Sequence, residues 1–258
     1  MAASPAGAYD LRDFRGLIYL HRREFIVAAG CAVCVAAARA SDLVEPHMHF
    51  VPPDHAKQVA MTFDACMGET DMRILGPLID NRIKATIFAT RRWLDSNVAV
   101  IKLLKANADL FQVQNHGAQH LPAIIGTEKA YGLAPAGTAN AIFAEVLGGE
   151  QAVTAAFGIR PTWYRDATAL YTHDAMGVVT SMNQKIAGFS LNGDIGASVS
   201  AETAKMRISA AKEGDVIISH INQPKREAGA GVIEGVLALK TLGFDFVHLD
   251  DVQIVAAA

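Results

Sequence analysis

Five polar residues of acidic, basic and imidazole types each lie at or just after the C-terminal end of a short apolar run. They are Asp64, His116, Arg165, Asp194 and His220. A carboxylate can accept a proton, an imidazole can donate one, and a guanidinium can hold a carboxylate in its ionised form. In a barrel of alternating strands and helices, the C-terminal strand ends meet on one face. The pattern therefore predicts one active site that contains all five residues.

The elements that must position these residues follow from the hydrophobic pattern. Apolar runs predict about seven strands, at residues 59–64, 85–89, 110–116, 162–165, 185–194, 215–220 and 244–249. Apolar residues at three- and four-residue spacing predict helices over residues 71–82, 97–107, 138–157, 173–182, 201–212 and 232–242. This alternation predicts an α/β fold, a distorted barrel of about seven parallel strands. Residues 45–55, rich in His and Pro, are interpreted as a linker.

The N-terminal segment has the features of an export signal. Arg22 and Arg23 precede Phe25 and an uncharged stretch at residues 27–38, and Ala38-Arg39-Ala40 has the small-x-small pattern of a cleavage site. The segment resembles a twin-arginine signal. We expect a signal peptide over residues 1–40, a catalytic domain over residues 41–258, and a periplasmic or secreted location. A membrane anchor is the alternative, although the apolar stretch is shorter than the ~20 residues that span a bilayer.

Composition excludes several classes of protein. The 258 residues are 51% hydrophobic and 19% charged, which excludes a mainly disordered chain. Loss of residues 1–40 would remove five arginines and three acids, so the remaining domain is more acidic than the formal charge of −3 for the whole chain. We therefore expect no nucleic-acid partner. Cys66 is the one cysteine after residue 40, so that domain cannot form an internal disulfide.

Two histidines, His116 and His120, are four residues apart. On a helical turn that spacing places both rings on one face, where a divalent ion at ~2.0–2.1 Å from each ring would fit between them. Asp64, at the end of a buried strand, either accepts backbone hydrogen bonds as a structural carboxylate or serves as a base or a metal ligand. Arg165 either holds Asp64 ionised or pairs with its own neighbour, Asp166.

Two further features each allow two interpretations. His220 is a packing residue, or it is a general acid if Asp194 lies beside it to orient and charge it. The irregular stretch at residues 126–137 is a substrate-contacting flap or a surface insertion without a role.

The order of these residues resembles the polysaccharide deacetylases of the NodB-homology group, carbohydrate esterase family 4. The resemblance covers residues 59–249 and rests on Thr62-Phe63-Asp64, the His-x-x-x-His pair, Arg165, Asp194 and Ile218-Ser219-His220. It implies a metal-dependent hydrolase that removes N- or O-linked acetyl groups from a polysaccharide or oligosaccharide. The glycan is then the expected partner, without stable membrane anchoring after signal cleavage.

The resemblance also implies a role for each residue. Asp64 would be the base, Arg165 would position it, and His220 would be the general acid with Asp194 as its partner. His116 and His120 would be metal ligands, and Ile218 would line a pocket for the acetyl methyl group. Tyr171 and Asn222 are candidate substrate contacts.

The sequence departs from the family pattern at the metal site. Ala65 replaces the usual second aspartate, which would be a metal ligand, and Gly117 replaces the usual Ser or Thr after the first histidine. We therefore expect weak binding of a divalent ion, zinc first and cobalt or nickel as alternatives, with Asp64 or water as the third ligand. The alternative functions are hydrolysis of a small non-glycan amide and metal-free glycan binding.

Overall fold

The computed structural model describes residues 43–257 of the chain. The twin-arginine segment and its cleavage site lie outside the described residues, so the signal peptide and the boundary at residue 40 stay predictions. Among the described residues, no helix has both the length and the apolar character needed to cross a membrane.

The first and last strands form a small antiparallel pair. They are β1 (His47–Phe50) and β10 (Ile254–Ala257). The Met48 N–H donates to the Phe189 carbonyl (3.1 Å), so β1 also contacts the chain in the middle of the domain. The prediction of a linker over residues 45–55 is therefore wrong in its first half, because polar His residues alternate with buried Met48 and Phe50 on a strand.

The site is positioned by a sheet of parallel strands. These are β2 (Gln58–Ala65), β3 (Ala85–Ala89), β4 (Phe111–Asn115), β5 (Trp163–Tyr164), β6 (Lys185–Ile186), β7 (Leu191–Asn192), β8 (Val216–His220) and β9 (Asp245–Phe246). The order is β6-β5-β4-β3-β2-β8-β7, and β9 pairs with the start of β2. The seven strands in this order curl into an incomplete barrel, which confirms the predicted fold class.

The predicted strand over residues 185–194 is in fact two strands. β6 and β7 lie at opposite edges of the curled sheet, and the chain between them closes the seam. Gly188 lies in this crossing, where a Cβ atom would collide with the carbonyl of Pro46. The sequence pattern alone does not reveal such a break, because apolar residues continue across it at Ala187 and Phe189.

The helices pack on the outside of the sheet. They are α1 (Met72–Asp80), α2 (Arg91–Ser96), α3 (Val98–Ala106), α4 (Ala139–Phe157), α5 (His173–Ser181), α6 (Ala201–Ser209) and α7 (Ala228–Thr241). All six predicted helices are present with shifted ends. The pattern missed α2, whose six residues are too few for a periodic signal.

Side chains of β2 alternate between two environments. Val59, Met61, Phe63 and Ala65 pack in the main hydrophobic core with residues of the outer helices, whereas Ala60 packs in a second core cluster with Met48 and Phe50. Strand residues two apart share a face. Asp64 therefore lies on the inner face and Ala65 on the helix-covered face.

Candidate active site

The structure brings the five predicted residues to one face. Asp64 lies near the end of β2, His116 directly follows β4, Arg165 directly follows β5, Asp194 follows β7, and His220 ends β8. Four of them are at most 4% exposed, and His220 is partly exposed. Charged groups at this depth require close partners.

Arg165 is the partner of Asp64. Its Nη1 donates to Oδ1 of Asp64 and to Oγ1 of Thr62, both at 2.9 Å, and its Nη2 donates to the carbonyl of Gly188 at 2.8 Å. The guanidinium also lies 4.3 Å from the ring centre of Phe88. Burial alone would raise the pKa of Asp64, but the positive charge of Arg165 and the nearby imidazoles outweigh it and lower the pKa. Asp64 is therefore an ionised, fixed carboxylate.

The alternative pairing of Arg165 with Asp166 does not occur in the structure. The Asp166 carboxylate instead accepts the backbone N–H groups of Ala123 (2.7 Å) and Thr168 (3.0 Å). Burial raises the pKa of Asp166 to about 6. Tyr171 is fully buried and its hydroxyl accepts the Asp166 N–H (2.9 Å), so this side chain lies in the core and not on a surface that a substrate can reach.

Asp194 is the partner of His220. The Nδ1 atom of His220 lies 2.9 Å from Oδ1 of Asp194, and the His220 backbone N–H donates to Oδ2 (2.7 Å). Burial alone would lower the pKa of His220, but the charge and the hydrogen bond of Asp194 outweigh it, so the pKa lies well above its usual value. Because Nδ1 is engaged by Asp194, Nε2 is the nitrogen available to a substrate.

His116 and His120 meet as predicted, with ring centres 5.1 Å apart. The Nδ1 atom of His116 lies 2.8 Å from the Arg165 carbonyl, which can only accept, so Nδ1 carries a proton and Nε2 is the nitrogen beside Cys66. Burial alone would lower the pKa of His116, but the charge of Asp64 and the hydrogen bond with Cys66 outweigh it and raise the pKa to about 9. The predicted helical turn is wrong. Gly117 (φ 86°) and His120 (φ 67°) are left-handed, and the segment is a bend.

Glu145 on α4 holds this bend, and the sequence analysis missed it. Its buried carboxylate accepts the N–H groups of Gln119 (2.8 and 3.0 Å) and Leu121 (3.1 Å). A side chain at Gly117 would collide with this carboxylate, so glycine is required there. The carboxylate of Glu145 thus occupies the space next to position 117, where the family pattern has a hydroxyl side chain. In the sequence, Glu145 differed from other acidic residues only in its position on the buried face of a predicted helix.

Cys66 is the second residue that the sequence analysis left without a role. Its Sγ lies 3.5 Å from Nε2 of His116, and one potential ligand atom from each of Cys66, His116 and His120 lies within 4.8 Å of the other two. Oδ2 of Asp64 is 3.8 Å from Nε2 of His116. The signal for Cys66 was its position two residues after Asp64, which places both on one face of a strand.

The other two predicted substrate contacts, Ile218 and Asn222, are both buried. Ile218 is buried in β8, two residues before His220. Asn222 is also buried, and its Nδ2 donates to the carbonyl of Met67 (2.6 Å), which fixes the chain just after Cys66. Their contact with a substrate stays a prediction.

The sequence model of the polysaccharide deacetylase family matches residues 52–187, just over half of the chain. The chain belongs to the polysaccharide deacetylase family. The predicted resemblance to the polysaccharide deacetylases is confirmed. The match ends before Asp194 and His220, so the assignment of these two residues depends on their geometry.

Solved structures have the same fold. A peptidoglycan N-acetylglucosamine deacetylase superposes with a TM-score of 0.64 at 21% identity, over 79% of this chain and 91% of the other. A family 4 acetyl xylan esterase from Clostridium thermocellum, solved with a cobalt ion, has a TM-score of 0.61 at 21% identity, over 76% and 89%. A family 4 pseudoenzyme from Bacillus anthracis has a TM-score of 0.63 at 17% identity, over 79% and 67%. A search among curated proteins found no significant match.

Proposed function

We propose that this protein is a metal-dependent hydrolase that removes N- or O-linked acetyl groups from a polysaccharide or oligosaccharide. The observation that supports it most strongly is the pairing of opposite charges at adjacent strand ends. Asp64 is held ionised by Arg165, and His220 is held protonated by Asp194. An ionised base and a protonated acid are the two groups that acyl hydrolysis requires.

The residues divide the reaction between them. A divalent ion, when bound, would polarise the acetyl carbonyl and acidify a water molecule, and His116 and His120 offer it nitrogen ligands. Asp64 accepts the proton of the attacking water, and Arg165 keeps Asp64 oriented. His220 donates a proton from Nε2 to the leaving amine or alkoxide. Ile218 supplies an apolar wall beside His220 for the acetyl methyl group.

Export through the twin-arginine route is part of the proposal. It is supported by Arg22-Arg23 before an uncharged stretch and by the small-x-small site that follows. Export would place the enzyme with the glycans of the cell envelope or the surroundings.

The test is release of acetate from a panel of acetylated glycans and small N-acetyl amides, with zinc present and after chelation. We expect release from a glycan that stops on chelation and returns with zinc, and that is lost in His116→Ala. Asp95→Asn, an exposed carboxylate on α2, is the matched control and should retain activity. Acetate release only from small amides would assign the non-glycan alternative, and equal activity in His116→Ala would overturn the metal role.

A second candidate is a metal-free glycan-binding protein. It is favoured by Ala65, which replaces the expected carboxylate ligand, and by the structural likeness to a family 4 pseudoenzyme. Glycan binding without acetate release, together with equal metal content in the parent and in His116→Ala after reconstitution, would support this candidate over the first.

A further inference from the structure

We propose that Cys66 is a metal ligand, and that its thiolate completes a Cys/His/His site with His116 and His120 in place of the missing aspartate. This inference rests on the proposed metal dependence of the same site. It assigns Asp64 to proton transfer alone.

The first argument is the distance between the ligand atoms. Ligands at ~2.05 Å (nitrogen) and ~2.3 Å (sulfur) from one tetrahedral zinc ion are about 3.6 Å apart. Sγ of Cys66 and Nε2 of His116 are 3.5 Å apart. Since the ligand atoms of His120 and the other two residues all lie within 4.8 Å of one another, small side-chain rotations would bring all three onto one ion.

The second argument is that two nitrogen atoms are available for an ion. Nδ1 of His116 donates to the Arg165 carbonyl, so Nε2 is the nitrogen directed at the cluster, where an ion would take the place of a proton. Nε2 of His120 is buried, and no described residue lies in the right geometry to form a hydrogen bond with it. A buried polar atom without a partner is costly, and coordination of an ion would remove that cost.

The third argument concerns the competing ligand, Asp64. Its Oδ1 already accepts a hydrogen bond from Arg165, and it does not belong to the three-residue group. Ala65 has no side-chain ligand atom, and it packs in the core beneath the outer helices. Cys66 directly follows β2, and its Sγ lies beside Nε2 of His116. The site therefore keeps three protein ligands and an open position, the arrangement of catalytic zinc sites.

The proposal implies a preference for thiophilic ions. Thiolate ligands favour zinc over the hard cations magnesium and calcium, and Cys66 supplies a sulfur where the family pattern supplies an oxygen. We expect zinc and cobalt to bind and magnesium not to compete.

The test is cobalt binding followed by absorption spectroscopy. The full chain with Cys31→Ser and Cys34→Ser has Cys66 as its single cysteine. We expect a near-ultraviolet sulfur-to-cobalt charge-transfer band in this parent and its loss in Cys66→Ser. Cys66→Asp, which restores a carboxylate near the site, should bind cobalt without the band. Zinc affinity should fall more than about tenfold in Cys66→Ser, since even changes around metal ligands cost 10–100-fold.

A second measurement on the parent alone guards against a variant that fails to fold. Zinc should protect Cys66 from alkylation, and magnesium should not. Cobalt binding without the band, the same band in Cys66→Ser, or an alkylation rate that zinc leaves unchanged would each overturn the proposal. These readouts are independent of activity, so a cobalt–thiolate band in a protein that releases no acetate would refute the proposed function and leave the metal site standing.

Discussion

Asp64 and His220 are cross-strand neighbours, paired in the register of the adjacent parallel strands β2 and β8. Each is fixed by a second residue from elsewhere in the sheet, Asp64 by Arg165 and His220 by Asp194. The two partners give the pair opposite charges. Parallel register thus places a carboxylate and an imidazole side by side at the strand ends, and these are the groups that we propose as base and acid.

Asp194→Asn should move the alkaline limb of the pH–rate profile to lower pH. His220 must be protonated to act as an acid, so activity falls as the pH rises through its pKa. The negative charge of Asp194 raises that pKa, and its removal lowers it. Turnover measured across pH checks this shift. An unchanged alkaline limb in Asp194→Asn, with Asp95→Asn as the control, would show that His220 is not the acid.

Arg165→Met should destabilise the fold most at neutral pH. Loss of one partner of a buried ion pair costs about 3–5 kcal/mol of unfolding free energy, because the other charge stays buried. The pKa of Asp64 is lowered in the folded protein, so its stabilising contribution is present above its unfolded pKa and is lost as the pH falls through the folded pKa.

Urea unfolding at neutral pH and below about pH 4 measures this effect. The difference between the parent and Arg165→Met should shrink at the lower pH. Arg82→Met, at a largely exposed arginine, is the control and should change stability by less than ~0.5 kcal/mol. A pH-independent difference would mean that Arg165 acts through packing and not through the charge of Asp64.

Glu145→Gln should weaken metal binding without removing a ligand. The variant loses the charge that receives the N–H groups of Gln119 and Leu121, so the bend that carries His120 is held less firmly. Zinc affinity should fall about 10–100-fold, and excess zinc should restore turnover. Glu150→Gln on the same helix, which pairs with Arg160, is the control for competition titrations. Equal zinc affinity in Glu145→Gln and the parent would show that Glu145 does not support the metal site.

Replacement of Arg22 and Arg23 by lysine should leave unprocessed precursor in the cytoplasm. Recognition of a twin-arginine signal depends on the arginine pair and not on charge alone. Cell fractionation measures where the chain is found, and the mass of the exported chain shows whether the signal has been cleaved. Normal export and cleavage of the doubly substituted chain would contradict the signal interpretation.

The shared position of the five candidate residues was predictable because each lies at or just after the end of an apolar run, and parallel strands bring their C-terminal ends together. Glu145 was not, because its contact with the bend after His116 depends on how α4 packs against that segment. The position of Cys66 near Asp64 was predictable from the two-residue strand period, but the family pattern has its ligand at position 65 and not at position 66. The split of residues 185–194 depends on closure of the sheet, which no local pattern encodes.

Substitution of Asp64 by asparagine tests the central claim most directly. Asp64→Asn keeps the size of the side chain and removes the charge that accepts the proton, so turnover on a verified acetylated glycan should fall at least ~10²-fold. His220→Ala should have a loss of similar size, and the double variant should be impaired far less than multiplicatively, because the two groups act in one reaction. Full activity of Asp64→Asn on that substrate would contradict the mechanism even though the fold and the family stand.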